Sequence, residues 1–281
     1  MTARDPFGAR LSRAMAERGP LCVGIDPHAS LLDAWGLPDD VSGLESFART
    51  CVEALADRVA VLKPQAAFFE RFGSRGVAVL ERTIAAAREA GALVVTDAKR
   101  GDIGSTMAAY AEAFLDPASP LFSDALTVSP YLGFGSLRPA VDAARAAGSG
   151  LFVLALTSNP EGASVQRAVG ADGRTTVAGQ ILRELAAENA GAEPMGSFGA
   201  VVGATLGDAG VDLAINGPLL APGIGAQGAT ARDIPKVFGS AARLVVPSVS
   251  RGVLSRGPAV AALREAAEQQ AAEVRAALAG A

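Results

Sequence analysis

Acidic residues and lysines alternate over a short stretch of the chain. Asp97 and Lys99 are separated by one residue, Asp102 follows them, and Lys63 stands at the end of an earlier apolar run. Residues two apart in an extended segment project to the same side, so we expect the side chains of Asp97 and Lys99 to share one face. Opposite charges at close range hold each other ionised. The pattern predicts a pocket of acids and ammonium groups able to act on a charged substrate; a structural salt-bridge network is the simpler interpretation.

Lysine is rare among the basic residues. Of the 25 lysines and arginines, the lysines are Lys63, Lys99 and Lys236. Arginine cannot give up its proton near neutral pH, whereas lysine can when its environment shifts its pKa. Chance survival of Lys63 and Lys99 is the simpler alternative, but a lysine kept in a chain that otherwise uses arginine can be needed as an amine. We therefore interpret Lys63 and Lys99 as residues needed for their amines.

A second candidate site combines glycines with an arginine. Gly223 and Gly225 follow one apolar run, and Arg251 lies between Ser250 and Gly252 after the next. Glycine lets backbone N–H groups approach an anion closely, and a guanidinium matches the oxygens of a phosphate. Turn glycines and a surface arginine would be the simpler reading. Their position after the last two runs favours a phosphate site.

Eight short apolar runs must position these residues. They are continuous rather than alternating, as is typical of strands buried on both faces of a parallel sheet. Their order and their spacing of roughly 32 residues match a single-domain α/β protein with a (β/α)8 TIM barrel, in which chemistry lies at the C-terminal ends of the strands. A doubly wound open sheet is the alternative. The predicted strands are 21–25, 59–62, 92–96, 125–128, 151–156, 199–202, 218–221 and 244–249.

Amphipathic stretches separate several of these runs. We expect helices over 44–57, 76–90, 138–147, 176–189 and 257–278, with Pro258 in the first turn of the last one. The connection 159–197 is longer than the others and carries several glycines before its helix. We expect part of it to form a loop over one face of the barrel.

Composition excludes several classes of protein. Hydrophobic residues make up 50% of the 281, which rules out a disordered chain. No run is long enough to span a membrane and no signal peptide is visible, so we expect a cytoplasmic protein with no membrane partner. A net charge of −4 with scattered basic residues argues against nucleic-acid binding. Cys22 and Cys51 lack metal-ligand spacing, and the single histidine, His28, excludes a histidine triad.

The segment Asp-Ala-Lys-Arg-Gly-Asp-Ile-Gly-Ser-Thr, residues 97–106, resembles the signature of the orotidine 5′-phosphate decarboxylase family. Further matches are Asp26, Lys63, Thr-Ser-Asn-Pro from Thr157, Pro-Gly-Ile-Gly-Ala-Gln-Gly from Pro222, and Ser-Arg-Gly from Ser250. The chain looks most like the longer bacterial type 2 branch. The resemblance implies decarboxylation of orotidylate to uridylate, the last step of de novo UMP synthesis, without metal or cofactor.

The resemblance also implies roles for individual residues. Lys99 would donate a proton to C6 of the pyrimidine, with Asp97 against the substrate carboxylate. In a homodimer, Asp102, Ile103 and Thr106 would enter the partner's active site. The implied substrate contacts are Asp26 and Lys63 with the ribose hydroxyls, Ser158 with the pyrimidine, and Gly225, Gln227, Arg251 and Gly252 with the phosphate; Arg256 is an alternative to Arg251.

Two other functions remain open from the sequence. A Mg²⁺-dependent sugar-phosphate decarboxylase or hexulose-phosphate synthase shares the Asp-x-Lys-x-x-Asp motif but needs a second acidic ligand, typically from strand two. That strand ends in Lys63, Pro64 and Gln65, which argues against a divalent cation there. The other possibility is a nucleotide-binding barrel without catalytic activity, which the intact set of acids and lysines disfavours.

Overall fold

Eight parallel strands form a closed barrel. The computed structural model describes residues 4–207, 209–224 and 228–279. The strands are β1 (Cys22–Ile25), β2 (Val61–Pro64), β3 (Leu93–Arg100), β4 (Ala125–Val128), β5 (Gly150–Leu156), β6 (Phe198–Val202), β7 (Leu219–Pro222) and β8 (Val245–Val249). They follow one another around the barrel in chain order, and β8 pairs with β1 to close the sheet. The predicted (β/α)8 TIM barrel is confirmed, and the open sheet is excluded.

Helices cover the outside of the barrel. The α-helices are α1 (Phe7–Arg18), α2 (Ala29–Ala34), α3 (Val41–Leu55), α4 (Ala66–Glu70), α5 (Gly73–Glu89), α6 (Gly104–Leu115), α7 (Arg138–Ala147), α8 (Ala163–Gln166), α9 (Val177–Glu188), α10 (Ile234–Phe238), α11 (Arg251–Leu254) and α12 (Val260–Ala279). The five predicted helices correspond to α3, α5, α7, α9 and α12. Helix α12 begins at Val260, so Pro258 lies before its first turn. Between β6 and β7 the described residues contain no helix.

The apolar faces of these helices explain their packing. In α7, Ala140, Val141 and Ala144 are buried against the barrel, whereas Arg138 and Arg145 bind Glu188 at the surface. Burial of such a face, rather than helix propensity, provides most of the stability of short helices. Among the described helices, none is long and apolar enough to cross a membrane.

Helix α1 closes the N-terminal end of the barrel. Phe7 and Leu11 are fully buried among side chains of the barrel interior. The Phe7 ring meets Phe152 of β5 edge-on, with ring centroids 6.0 Å apart. Gly150 makes room for Phe7, because a Cβ there would lie 2.3 Å from a Phe7 ring atom. This helix was not predicted from the sequence. Because α1 closes the N-terminal end, the C-terminal end is the open end of the barrel.

Strand β3 differs from its prediction. It continues to Arg100, four residues beyond the expected end at 96, and its pairing with β4 shifts between Thr96 and Arg100. Lys99 has φ +48°, in the left-handed region that non-glycine residues seldom adopt. The side chains of Asp97 and Lys99 are in contact, as predicted, but regular alternation along an extended strand does not explain this contact. An irregular stretch of β3 positions the lysine.

Candidate active site

A cavity of about 390 Å³ opens at the C-terminal end of the barrel. Residues from all eight strands or the segments after them surround it. They are Asp26, His28, Lys63, Gln65, Asp97, Lys99, Thr127, Leu154, Thr157, Val201, Leu220, Pro222, Gly223, Ile224, Ser248, Ser250 and Arg251. Charged groups on β1 to β3 face one side of the cavity, and apolar residues of β5 to β7 face the other.

Asp97 is the centre of the charged side. Its Oδ2 accepts a hydrogen bond from Lys63 Nζ at 2.8 Å, and its Oδ1 accepts one from Lys99 Nζ at 2.6 Å. Thr127 Oγ1 donates to the same Oδ1 at 2.9 Å. Asp97 and Lys63 are buried, whereas the Lys99 side chain is 45% exposed. Of the two lysines that line the cavity, Lys99 is the more accessible to a ligand.

Pairing between these groups outweighs the effect of burial on their pKa values. Burial alone would raise the pKa of Asp97, but the charges of Lys63 and Lys99 hold it well below the ordinary value of 3.8. Burial would likewise lower the pKa of Lys63, but Asp97 and then Asp26 raise it above 10.5. The carboxylate and the buried ammonium both stay ionised at neutral pH.

Asp26 lies after β1, close to the charged pair. Its Oδ2 accepts a hydrogen bond from Ser250 Oγ. Its Oδ1 is buried and has no hydrogen-bond partner among the residues that the structure describes. Gly24 leaves room for this pair, because a Cβ there would lie 2.2 Å from Ser250 Oγ. A buried carboxylate oxygen without a donor is costly, so Oδ1 is available for a ligand hydroxyl.

The segments after β7 and β8 carry the anion-binding groups of the cavity that the structure describes. Arg251 lines the cavity at the start of α11, and Gly223 lines it with φ +105°. Arg256 is not among the lining residues, so the geometry favours Arg251 of the two arginines. Gly252 is exposed next to Arg251 and does not line the cavity. Gly225 and Gln227, both predicted to bind phosphate, lie outside the described residues.

Four other predicted residues do not line this cavity. Asp102, Ile103 and Thr106 lie on the segment after β3 and at the start of α6, where Ile103 is 62% exposed. Asp102 Oδ1 accepts a hydrogen bond from the backbone of Ile103. Ser158 is half-buried, one residue beyond Thr157, which does line the cavity.

The acidic groups of the described chain do not assemble into a recognisable metal site. Within residues 4–207, 209–224 and 228–279, no group of three or more His, Cys, Asp and Glu side chains is arranged to hold an ion. In the cavity, Lys63 and Lys99 occupy the two oxygens of Asp97. An ammonium bound to each oxygen takes the place where a divalent cation would bind.

A family model described as the orotidine 5′-phosphate decarboxylase / HUMPS family matches residues 19–266. The chain belongs to this family. Orotidine 5′-phosphate decarboxylase of Streptomyces coelicolor is 75% identical over 275 residues, which is 98% of this chain and 99% of that relative. The enzyme of Salinispora arenicola is 67% identical over 277 residues, again 98% and 99% of the two chains.

Solved structures agree with this membership. A crystal structure from Streptomyces avermitilis, described as an orotidine 5′-phosphate decarboxylase, has a TM-score of 0.97 at 74% identity and covers 99% of this chain and 98% of that one. The OMP decarboxylase of Leishmania donovani has a TM-score of 0.76 at 29% identity and covers 97% and 99% of the two chains. The resemblance inferred from the motifs is confirmed.

Several residues of the cavity were given no role from the sequence. Thr127 donates a hydrogen bond to Asp97, and Ser250 donates one to Asp26. Gln65 forms a backbone bridge with Asp97. Thr127 carried a weak signal, since it is a polar residue inside an apolar strand. His28 was not assigned to the site from the sequence, but it lines the cavity and packs against Phe68 with ring centroids 4.3 Å apart.

Proposed function

We propose that this chain decarboxylates orotidine 5′-phosphate to uridine 5′-monophosphate, with Lys99 as the proton donor. The observation that carries the proposal is a half-exposed ammonium, Lys99, hydrogen-bonded to the buried carboxylate of Asp97 at the open end of the barrel. Membership in the family and the curated relatives support the reaction. The activity makes the chain a carboxy-lyase of pyrimidine nucleotide synthesis.

The charges of the cavity suit this reaction. As the bond between C6 and the carboxylate carbon breaks, its electron pair stays on C6 and CO₂ departs. The Lys99 ammonium stabilises that charge as it forms and transfers its proton to C6, and water then reprotonates the amine. The carboxylate of Asp97 disfavours a second carboxylate beside it, so departure of CO₂ relieves repulsion. The apolar wall formed by Leu154, Val201 and Leu220 limits water near the reacting carbon.

Other groups of the cavity match the ribose and the phosphate of the substrate. The unpartnered Oδ1 of Asp26 would accept a ribose hydroxyl, and Lys63 lies beside it. Arg251 would hold the phosphate from α11. Gly225, Gln227 and Gly252 are proposed for the same phosphate and Ser158 for the pyrimidine. Because the phosphate is remote from C6, its binding energy can order the site, and a substrate without it should lose rate as well as affinity.

We also propose that the chain works as a homodimer. Ile103 and Thr106 are exposed, Asp102 is half-buried, and none of the three lines its own cavity, which supports a role in a partner's site. A mixture of inactive Lys99→Ala and Asp102→Ala subunits should regain about a quarter of wild-type activity per site, since random pairing forms one intact site in half of the dimers. No regain of activity on mixing would contradict shared sites.

Two further properties are part of the proposal. The chain acts as one domain over residues 1–281, because a single barrel accounts for the described elements. It works in the cytoplasm, a reducing compartment that suits the free and buried thiols of Cys22 and Cys51.

A metal-free assay tests the proposed reaction. Purified protein is mixed with orotidine 5′-phosphate and EDTA, and the loss of the orotate chromophore is followed. We expect turnover that EDTA does not change. An absolute requirement for Mg²⁺ would support the sugar-phosphate alternative, and tight binding of uridine 5′-monophosphate without turnover would support a barrel without catalytic activity.

A further inference from the structure

We propose that Thr127 of β4 is a positioning residue for the reaction. Its hydroxyl holds the backbone of Lys99 and the carboxylate of Asp97 in the arrangement that directs the ammonium into the cavity. The inference rests on the proposed function, because it assigns the proton donor to Lys99.

The pairing of β3 with β4 places Thr127 opposite the irregular stretch. Thr96 pairs with Leu126, and Arg100 pairs with Val128. Three residues of β3, 97–99, therefore face one residue of β4, Thr127. Such a bulge leaves backbone groups without their usual ladder partners and redirects the side chains that it carries. Bulges of this kind often lie next to active sites.

The backbone of Lys99 needs a partner that the regular sheet does not supply. Its φ of +48° is a strained conformation for a residue with a side chain. Its N–H donates to Thr127 Oγ1 at 2.9 Å. Strained residues persist where the surrounding structure holds them in place, and this hydrogen bond is one such restraint.

The Thr127 hydroxyl takes part in two hydrogen bonds, as the donor in one and as the acceptor in the other. Its proton is donated to Asp97 Oδ1 at 2.9 Å, and a lone pair accepts from the N–H of Lys99. Asp97 Oδ1 in turn accepts from Lys99 Nζ at 2.6 Å. One buried hydroxyl thus restrains the lysine at its backbone and, through Asp97, at its ammonium. Because its proton is already donated to Asp97, the hydroxyl has none to offer a substrate.

Loss of the hydroxyl should therefore affect the reaction more than binding. Without it, the N–H of Lys99 has no acceptor from β4 and Asp97 loses one donor. The ammonium would then sample positions away from C6, and displacements of about 1 Å can cost about 100-fold in rate. Binding of the ribose and phosphate uses other residues and should change little.

A matched set of variants tests this role. Thr127→Val keeps the shape of the side chain without its hydroxyl, and Thr127→Ser keeps the hydroxyl. We expect kcat of the valine variant to fall about 100-fold, with KM and the Kd for uridine 5′-monophosphate within about threefold of wild type. The serine variant should stay within about fivefold of wild-type kcat, because the hydroxyl restores both hydrogen bonds. Thr83→Val, a buried threonine of α5 bonded to Val79 O within its helix, should leave kcat unchanged.

Several outcomes would overturn the inference. Thr127→Val with kcat within threefold of wild type would do so, as would a serine variant as slow as the valine variant. A loss of uridine 5′-monophosphate binding equal to the loss of kcat would show general damage to the site. If the valine variant does not fold, the same comparison is made between Thr127→Ala and Thr127→Ser. Inactive wild-type protein would contradict the proposed function itself, whereas an active wild type with an active valine variant contradicts only the role of Thr127.

Discussion

Asp97 determines the ionisation of the charged side of the cavity. As a buried carboxylate it would be unstable alone, but ammonium groups on both oxygens and the Thr127 hydroxyl compensate for lost water. Because folding lowers the pKa of Asp97, this residue contributes to the free energy of unfolding above pH 3.8, its ordinary pKa. The contribution is lost as the pH falls toward the pKa of Asp97 in the folded protein. For Lys63 the pH dependence has the opposite sign. Its contribution to the free energy of unfolding is complete below pH 10.5 and is lost as the pH rises through its raised pKa.

Acid unfolding should reveal this linkage. Below pH 3.8 the unfolded chain takes up a proton at Asp97 that the folded protein does not. In Asp97→Asn, we expect the slope of the unfolding free energy against pH in this range to decrease by about one proton relative to wild type. Urea unfolding measured at several pH values gives the slopes. Asp142→Asn, at an exposed carboxylate, is the control. Equal slopes for wild type and Asp97→Asn would contradict the pairing.

Individual site residues were predictable to different degrees. Asp97, Lys63 and Arg251 were identified because charged side chains after buried strands must gather at one end of a barrel, and Asp26 was identified from the resemblance to the family. Thr127 was missed because a hydroxyl acquires its role only from the register of the neighbouring strand. That register, and with it the position of Lys99, does not follow from residue spacing.

At the scale of elements, the strands were the most predictable part of the fold. Continuous apolar runs identified all eight within a few residues, because both faces of each strand are buried. β3 was the exception, since three of its last four residues are charged and the stretch looks like a loop. Helix α1 was missed because its short apolar stripe, with Phe7 and Leu11, is interrupted by charged residues.

The segment after β5 is fastened to its strand by one side chain. Gln166 Oε1 accepts from the backbone N–H of Thr157 at 2.8 Å, and its Nε2 donates to Thr157 Oγ1 at 2.7 Å. Gly162 lies against this pair, and a Cβ there would approach both side chains at 2.9 Å. The two hydrogen bonds of Gln166 hold Thr157 at the cavity, with Ser158 next to it in the chain.

Removal of the two Gln166 hydrogen bonds should increase local opening of this segment. In Gln166→Leu, we expect amide hydrogen exchange over 157–166 to accelerate at least about tenfold, since local opening loses two hydrogen bonds of about 1 kcal/mol each. KM for the substrate should rise, while the barrel strands keep their protection. Gln269→Leu, at an exposed glutamine of α12, is the control. Unchanged exchange over 157–166 would mean that other contacts hold the segment.

At the scale of the molecule, a buried ion cluster fastens the closed end of the barrel. Asp124, whose side chain is 2% exposed, contacts Arg4 and Arg10 from the N-terminal segment and lies 3.8 Å from Arg88 of α5. Its Oδ2 also accepts a hydrogen bond from the backbone of Val94 at 2.9 Å. The cluster ties α1, α5 and the β3–β4 pair together, far from the open end.

Asp124→Asn should therefore reduce stability without altering the site. The variant removes the only negative charge of the described cluster and leaves partly buried guanidinium groups without a counter-ion, so we expect a loss of about 3 kcal/mol in the unfolding free energy. Asp142→Asn, at a surface ion pair, should cost less than about 1 kcal/mol. Thermal and urea unfolding measure both. Wild-type stability of Asp124→Asn would contradict this role, and a change in kcat well below the unfolding temperature would contradict the separation of the two ends.

The proposed contribution of a partner subunit belongs to the assembly of two chains. The sequence motif implies it, and the exposure of Ile103 is consistent with it.

Replacement of Lys99 tests most directly whether its ammonium performs the chemistry. Lys99→Ala removes the amine, Lys99→Arg keeps a charge that cannot release its proton, and Lys236→Ala alters an exposed lysine of α10. We expect kcat for orotidine 5′-phosphate to fall at least about 1000-fold in both Lys99 variants, with the fold intact, and to remain at the wild-type level in Lys236→Ala. A folded Lys99→Ala variant with turnover within tenfold of wild type would contradict the proposed mechanism.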